Sequence, residues 1–83
     1  MKAVYFAWVR ERIGIPQEIL DPPPEVVTAR DLIAWLRTRG EGYEHAFENS
    51  ATIRVAIDRV HAKHDAEIAG AREVAFFPPM TGG

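Results

Sequence analysis

Apolar and polar positions change rhythm several times along this chain, and each rhythm predicts an element. The opening "KAVYFAWV" is apolar or aromatic throughout after Lys2. That run predicts a strand buried on both faces, or buried on one and sticky on the other. Gly14 and Pro16 break it, and "EIL" restarts as a short second strand, giving a hairpin with a loose loop. "DPPPEVV" is irregular at its centre, because proline fixes φ and offers no N–H donor. Beyond it Ala29, Leu32, Ile33 and Leu36 follow the i, i+3, i+4, i+7 spacing of one helix face, about three turns long. Thr28 is its expected N-cap, with Asp31 completing a weak capping box. Gly40 is placed to end it in a left-handed turn.

The rest of the chain alternates at strand period. "GEGYEHAFENSA" reads as a loop with one helical turn that tucks Tyr43 and Phe47 inward. "TIRVAID" puts Ile53, Val55 and Ile57 on one face and Arg54 and Asp58 on the other. "RVHAK" continues or returns as a short strand, "HDAEIAGA" is a turn region, and "REVAFF" is the last strand before Pro78. A right-handed crossover through the helix is expected to set the third strand parallel to its sheet neighbour. The order resembles the β-grasp, the α+β fold of ubiquitin-like proteins: a mixed sheet of four to five strands packed on one main helix. A ferredoxin-like domain needs a second helix, which this pattern does not supply. Residues 1–77 are therefore expected to form the domain and 78–83 a flexible C-terminal tail.

Composition narrows the function classes. Eighty-three residues suit one domain, and a hydrophobic share of 47% suffices for a packed core. No apolar run is long enough to span a membrane and no leader is visible, so a cytoplasmic protein is expected. The absence of cysteine excludes a disulfide scaffold, a thiolate metal site and a cysteine nucleophile. Net charge is −2, and the arginines are scattered among acids, as in "RERIGIPQE". Without a basic stripe, nucleic acid is not an expected partner.

Side-chain chemistry offers little. "HAKHD" places His61, His64 and Asp65 close together, but on a strand-to-turn stretch i and i+3 point to opposite sides. A solvated turn is the expectation, with no metal. Asp58, Asp65, Glu67 and Glu73 belong to no acid/base motif, and charges at strand edges normally guard against edge pairing. The aromatics say more. Phe76 and Phe77 are adjacent, so one faces in and one out, and the same parity divides "VYFAWV". One helix covers one side of a sheet. An exposed cluster of Phe6 or Trp8 with Phe77 would mark a protein-binding face.

The ending "FFPPMTGG" reads either as the last strand followed by an idle Gly-Gly stub or as a working part in its own right. Pro78 and Pro79 send the chain off stiff and extended, and Met80 and Thr81 lead into two residues without side chains. Residues 78–83 reach about 20 Å at about 3.3 Å each, enough to deliver the Gly83 carboxylate down a narrow channel. Glycine lets foreign backbone approach closely.

"FAWVRE…G", the "T…L…L" of the helix, the "VAID" strand and above all "EVAFFPPMTGG" resemble the small-subunit family of molybdopterin synthase, over essentially the whole chain. Two stretches depart from the family pattern: Asp58 stands where members commonly carry asparagine, and "AGAREV" replaces an Asp-Gly-Asp-Glu-Val turn. The resemblance implies a sulfur carrier that itself binds no cofactor or metal. A ubiquitin-activating-type enzyme would adenylate Gly83 with ATP, and a persulfide donor would turn it into a thiocarboxylate. Gly82 would keep the tail narrow. The loaded tail would enter the synthase large subunit and give sulfur to cyclic pyranopterin monophosphate, forming the dithiolene of molybdopterin. Phe6, Trp8, His61, Phe77, Pro78, Pro79, Met80 and Thr81 are then expected to meet partners.

Overall fold

Alternate residues of the first strand, β1 (Lys2–Tyr5), already divide the molecule into two faces: Ala3 and Tyr5 are buried, Lys2 and Val4 only partly so. The computed structural model describes residues 1–79. β1 pairs antiparallel with β2 (Gln17–Ile19) on one side. On its other side it pairs parallel with β5 (Glu73–Phe77). β3 (Arg54–Ile57) runs antiparallel to both β5 and β4 (Val60–Ala62). The sheet order is β2-β1-β5-β3-β4. This mixed five-stranded sheet curls over one main helix, the β-grasp arrangement expected from the sequence.

That main helix is α2 (Ala29–Arg37), preceded by α1 (Ala7–Ile13) and followed by α3 (Glu41–Ala46). Its four apolar positions, Ala29, Leu32, Ile33 and Leu36, are all buried, as the spacing required. The capping box is complete rather than weak. Thr28 Oγ1 accepts from the Asp31 N–H at 3.1 Å, and Asp31 Oδ2 accepts from the Thr28 and Val27 N–H groups at 3.1 Å each. Such a cap stabilises a helix start by about 1 kcal/mol.

Under α2 lie Tyr5, Val55, Val74 and Phe76, with Phe47 closing one side. Phe76 stacks on Tyr5 at 5.9 Å between centroids and meets Phe47 edge-on at 5.4 Å. A buried phenylalanine in such a cluster is worth about 3–5 kcal/mol against alanine. Phe47 and the partly buried Tyr43 are tucked inward by α3, somewhat more than the single turn expected.

Three local expectations are corrected. The opening strand stops at Tyr5, because Ala7 takes a left-handed φ of 52° and the chain winds into α1. A Cβ-bearing residue pays about 1 kcal/mol for that conformation. What looked like a loose hairpin loop is thus a helix. It ends at Gly14, whose φ of 99° lets its N–H reach the Arg10 carbonyl at 2.7 Å. Gly40, at φ 159° and ψ 171°, is not a left-handed terminator of α2; it is the N-cap of α3. Finally, β3 is antiparallel to both its neighbours, and the parallel pair is β1 with β5.

The stretch read as a free turn is tied down. The Ala66 and His64 carbonyls accept the N–H groups of Ala29 and Arg30, at 3.0 and 2.8 Å. Ile68 is buried in the core. No helix among the described residues is long and apolar enough to cross a membrane.

Candidate functional site

The face of the sheet away from α2 carries the outward residues of every central strand. Val4 from β1, Ala75 and Phe77 from β5, Ala56 from β3 and His61 from β4 line one depression of about 420 Å³. Its floor is low because the small residues Ala56 and Ala75 are direct cross-strand partners. Its walls are aromatic. His61 stands edge-on to Phe77, with ring centroids 5.4 Å apart and planes at 77°. Phe6 is 47% exposed on the same depression.

The backbone aims Phe6 there. Its N–H donates to the Phe76 carbonyl at 3.1 Å, and its own carbonyl accepts from Val9 and Arg10 as the N-cap of α1. Phe6 is therefore pinned between the end of β1 and a helix start, with its ring left in solvent. Exposed aromatics beside buried small residues make a concavity that an apolar side chain can fill.

Parity in β5 came out as expected: Phe76 is fully buried and Phe77 faces outward. Trp8 does not join this face. It belongs to α1, where it is partly buried and lies 4.4 Å beneath the Arg12 guanidinium. The strand parity that paired Trp8 with Phe6 fails because the strand has already ended. Ala56, Ala75 and Val4 were missed as site residues. Their signal was present in small or modest side chains at the outward positions of "VAID" and "EVAFF", but smallness alone does not advertise a binding floor.

The charged residues that line the depression, Lys2, Arg59 and Glu73, gather at its far end. Lys2 and Glu73 approach to 4.0 Å there, with Arg59 beside them. The apolar end is where β5 finishes, so it adjoins Pro78 and Pro79, which are half-buried. Met80, Thr81, Gly82 and Gly83 lie outside the described residues.

The turn at Asp58 frames the charged end. Asp58 and Arg59 have φ of 49° and 71°, the left-handed pair that a two-residue hairpin turn of type I′ needs. Asp58 Oδ1 accepts the Arg72 and Glu73 N–H groups at 2.9 and 3.0 Å, clamping the turn to the start of β5. An asparagine side-chain oxygen would accept the same two N–H groups and tolerate the same backbone.

The histidines of "HAKHD" serve different neighbours. His64 Nε2 donates to the Ile53 carbonyl at 2.7 Å, while His61 faces Phe77.

The sequence profile of the ThiS family matches residues 3–83. A Haemophilus influenzae protein named molybdopterin synthase sulfur carrier subunit is 29% identical over 83 residues, covering 100% of this chain and 99% of the relative. The crystal structure of SAMP1 from Haloferax volcanii superposes with a TM-score of 0.72 at 25% identity, covering 100% of this chain and 98% of that one. A putative molybdopterin converting factor, subunit 1, from Pyrococcus furiosus gives a TM-score of 0.69 at 25% identity, with 95% of each chain covered.

Proposed function

The chain belongs to the ThiS family, and we propose that it is the sulfur-carrying small subunit of a molybdopterin synthase. The observation that carries the proposal is positional. The aromatic depression of Phe6, His61 and Phe77 adjoins the root of the tail, on the sheet face that α2 leaves open. A large subunit seated on that depression would receive the tail at the same time.

In this reading the domain supplies a rigid base and the chemistry happens at Gly83. A carboxylate is a poor electrophile until a ubiquitin-activating-type partner joins it to AMP from ATP. The outer sulfur of a donor persulfide then attacks the acyl-adenylate and displaces AMP. A second thiol of the donor cleaves the resulting acyl disulfide, leaving a thiocarboxylate on Gly83 and a disulfide on the donor. Pro78 and Pro79 stiffen the tail, Met80 and Thr81 extend it, and Gly82 keeps it thin enough to pass a channel. The large subunit holds cyclic pyranopterin monophosphate, and two loaded carriers supply the two sulfurs of the dithiolene. ATP belongs to the activating partner; this chain needs no cofactor of its own.

Coexpression with the activating enzyme and sulfur donor, followed by intact mass measurement, tests the reading. A mass increase equal to sulfur replacing one oxygen, located on Gly83, is the expected result. An unmodified chain under conditions that load a known carrier would mark a ubiquitin-like interaction module instead. A loaded chain that serves only thiamine formation or tRNA thiolation would replace the substrate while keeping the chemistry.

A further inference from the structure

Cations that the sequence scatters among acids converge on one cleft. Arg30 and Arg37 come from α2, Arg54 from β3, and Lys63 follows β4, around a cavity of about 540 Å³. No aspartate or glutamate lines it among the described residues. Its floor is apolar, built by Ile33, Ile53, Val55 and Ala62. Arg37 is already engaged, with its fork on the Glu44 carboxylate at 2.9 and 2.6 Å. Arg30, Arg54 and Lys63 are exposed and have no ion-pair partner among the described residues.

In a chain of net charge −2, cations without a direct ion pair gather around this one concavity, a local field opposite to that of the whole. Such a cleft attracts acidic groups, and its floor rewards an apolar side chain carried between them. One wall is β4, the last strand of the sheet, whose outer edge pairs with nothing among the described residues. Free N–H and C=O groups along that edge suit an extended backbone. Three cations are few for a nucleic-acid backbone, which binds through many phosphate contacts.

We propose that the cleft between α2 and the β3–β4 edge docks an extended acidic segment of a partner protein. Its carboxylates meet Arg30 and Lys63, with Arg54 at the rim, and an apolar side chain lies on Ile33 and Val55. The cleft shares no lining residue with the Phe6–Phe77 depression, so this partner and a large subunit could bind together.

The test uses the full chain and a fluorescein-labelled peptide of alternating glutamate and valine, read by anisotropy and by backbone amide shifts. Expected are shifts at Ala34, Ser50 and Ala62, and binding that weakens as salt rises. Arg30→Glu and Lys63→Glu should each reduce affinity about tenfold, and Arg54→Gln by less, with circular dichroism unchanged. Absence of binding at low salt, shifts confined to the Phe6–Phe77 face, or indifference to the charge reversals would overturn the proposal. So would displacement of the peptide by inorganic phosphate beyond that of chloride at equal ionic strength, or tighter binding of single-stranded DNA than of the peptide.

Discussion

His61 meets Phe77 edge-on across two strands, 5.4 Å between ring centroids, although sixteen positions (77 − 61) separate them in the chain. The contact stiffens the aromatic wall nearest the tail. Edge-to-face pairs of this kind contribute about 0.5–1.5 kcal/mol beyond simple burial.

Phe77→Asp should therefore cripple docking and leave folding intact. The ring faces outward and the register of β5 is held by backbone pairing and by Phe76. Loss of a central aromatic anchor costs about 2–4 kcal/mol, or about 30- to 1000-fold in the affinity for the large subunit. Titration calorimetry measures it. His61→Ala should cost less, and Trp8→Ala should leave affinity within about twofold, since Trp8 sits on α1 away from the depression. Unfolding of the Phe77 variant would show that the ring belongs to the core.

Gly42→Ala is expected to damage the fold far from the depression. A Cβ at Gly42 would lie 2.7 Å from the Arg12 carbonyl oxygen, where α1 and α3 cross. Backbone cannot give way cheaply, so the loss should be about 1–3 kcal/mol. Urea unfolding with an unchanged slope would confirm it; stability within about 0.5 kcal/mol of the parent would show that the helices part freely.

The turn clamp separates two substitutions at one site. Asp58→Asn keeps an oxygen for the Arg72 and Glu73 N–H groups and tolerates the left-handed backbone, so stability should stay within about 0.5 kcal/mol. Asp58→Ala loses both bonds and keeps the strained φ, costing about 1–3 kcal/mol. Equal stability of the two variants, measured by urea unfolding, would mean that the clamp contributes nothing.

Both tyrosines of the chain point at one carboxylate, so their titration reports a single cluster. Tyr5 and Tyr43 donate to Glu18 Oε2 at 2.8 and 2.6 Å, and Arg39 reaches Oε1 at 3.2 Å. Burial first, and then the bond to Glu18, hold both phenols above their ordinary value of 10.0. A phenol whose folded pKa is raised adds stability that is fully present below its unfolded pKa and is lost as pH rises through the folded one. Phenolate absorbance should therefore rise at higher pH in the folded protein than in urea. Glu18→Gln should bring the folded curve closer to the denatured one. Coincident folded and denatured curves would contradict the cluster.

Much of this was legible in the sequence, for identifiable reasons. Helix α2 announced itself because Thr28, Asp31 and its four apolar positions all act within one helix and need no distant partner. The alternation around Val55 and the parity of Phe76 and Phe77 are equally local. Helix α1 was hidden because "VYFAWV" is rich in β-formers, and its true start depends on the unusual backbone of Ala7, which no side chain signals. The parallel pairing of β1 with β5 joins the two ends of the domain, beyond the reach of any periodicity. Gathering Arg30, Arg54 and Lys63 into one cleft likewise requires the finished sheet.

The central claim is that sulfur travels on Gly83. The most direct measurement is single-turnover sulfur transfer from the loaded carrier, with the large subunit and cyclic pyranopterin monophosphate, comparing the full chain with one lacking Gly83. Removing Gly83 shortens the reach by about 3.3 Å, and a misplacement of about 1 Å can already cost on the order of 100-fold in rate. The prediction is dithiolene formation by the full chain, two carriers consumed per product, and none from the shortened one at equal stability. Full transfer by the shortened chain, or no dithiolene from a carrier proven to bear the thiocarboxylate, would contradict it.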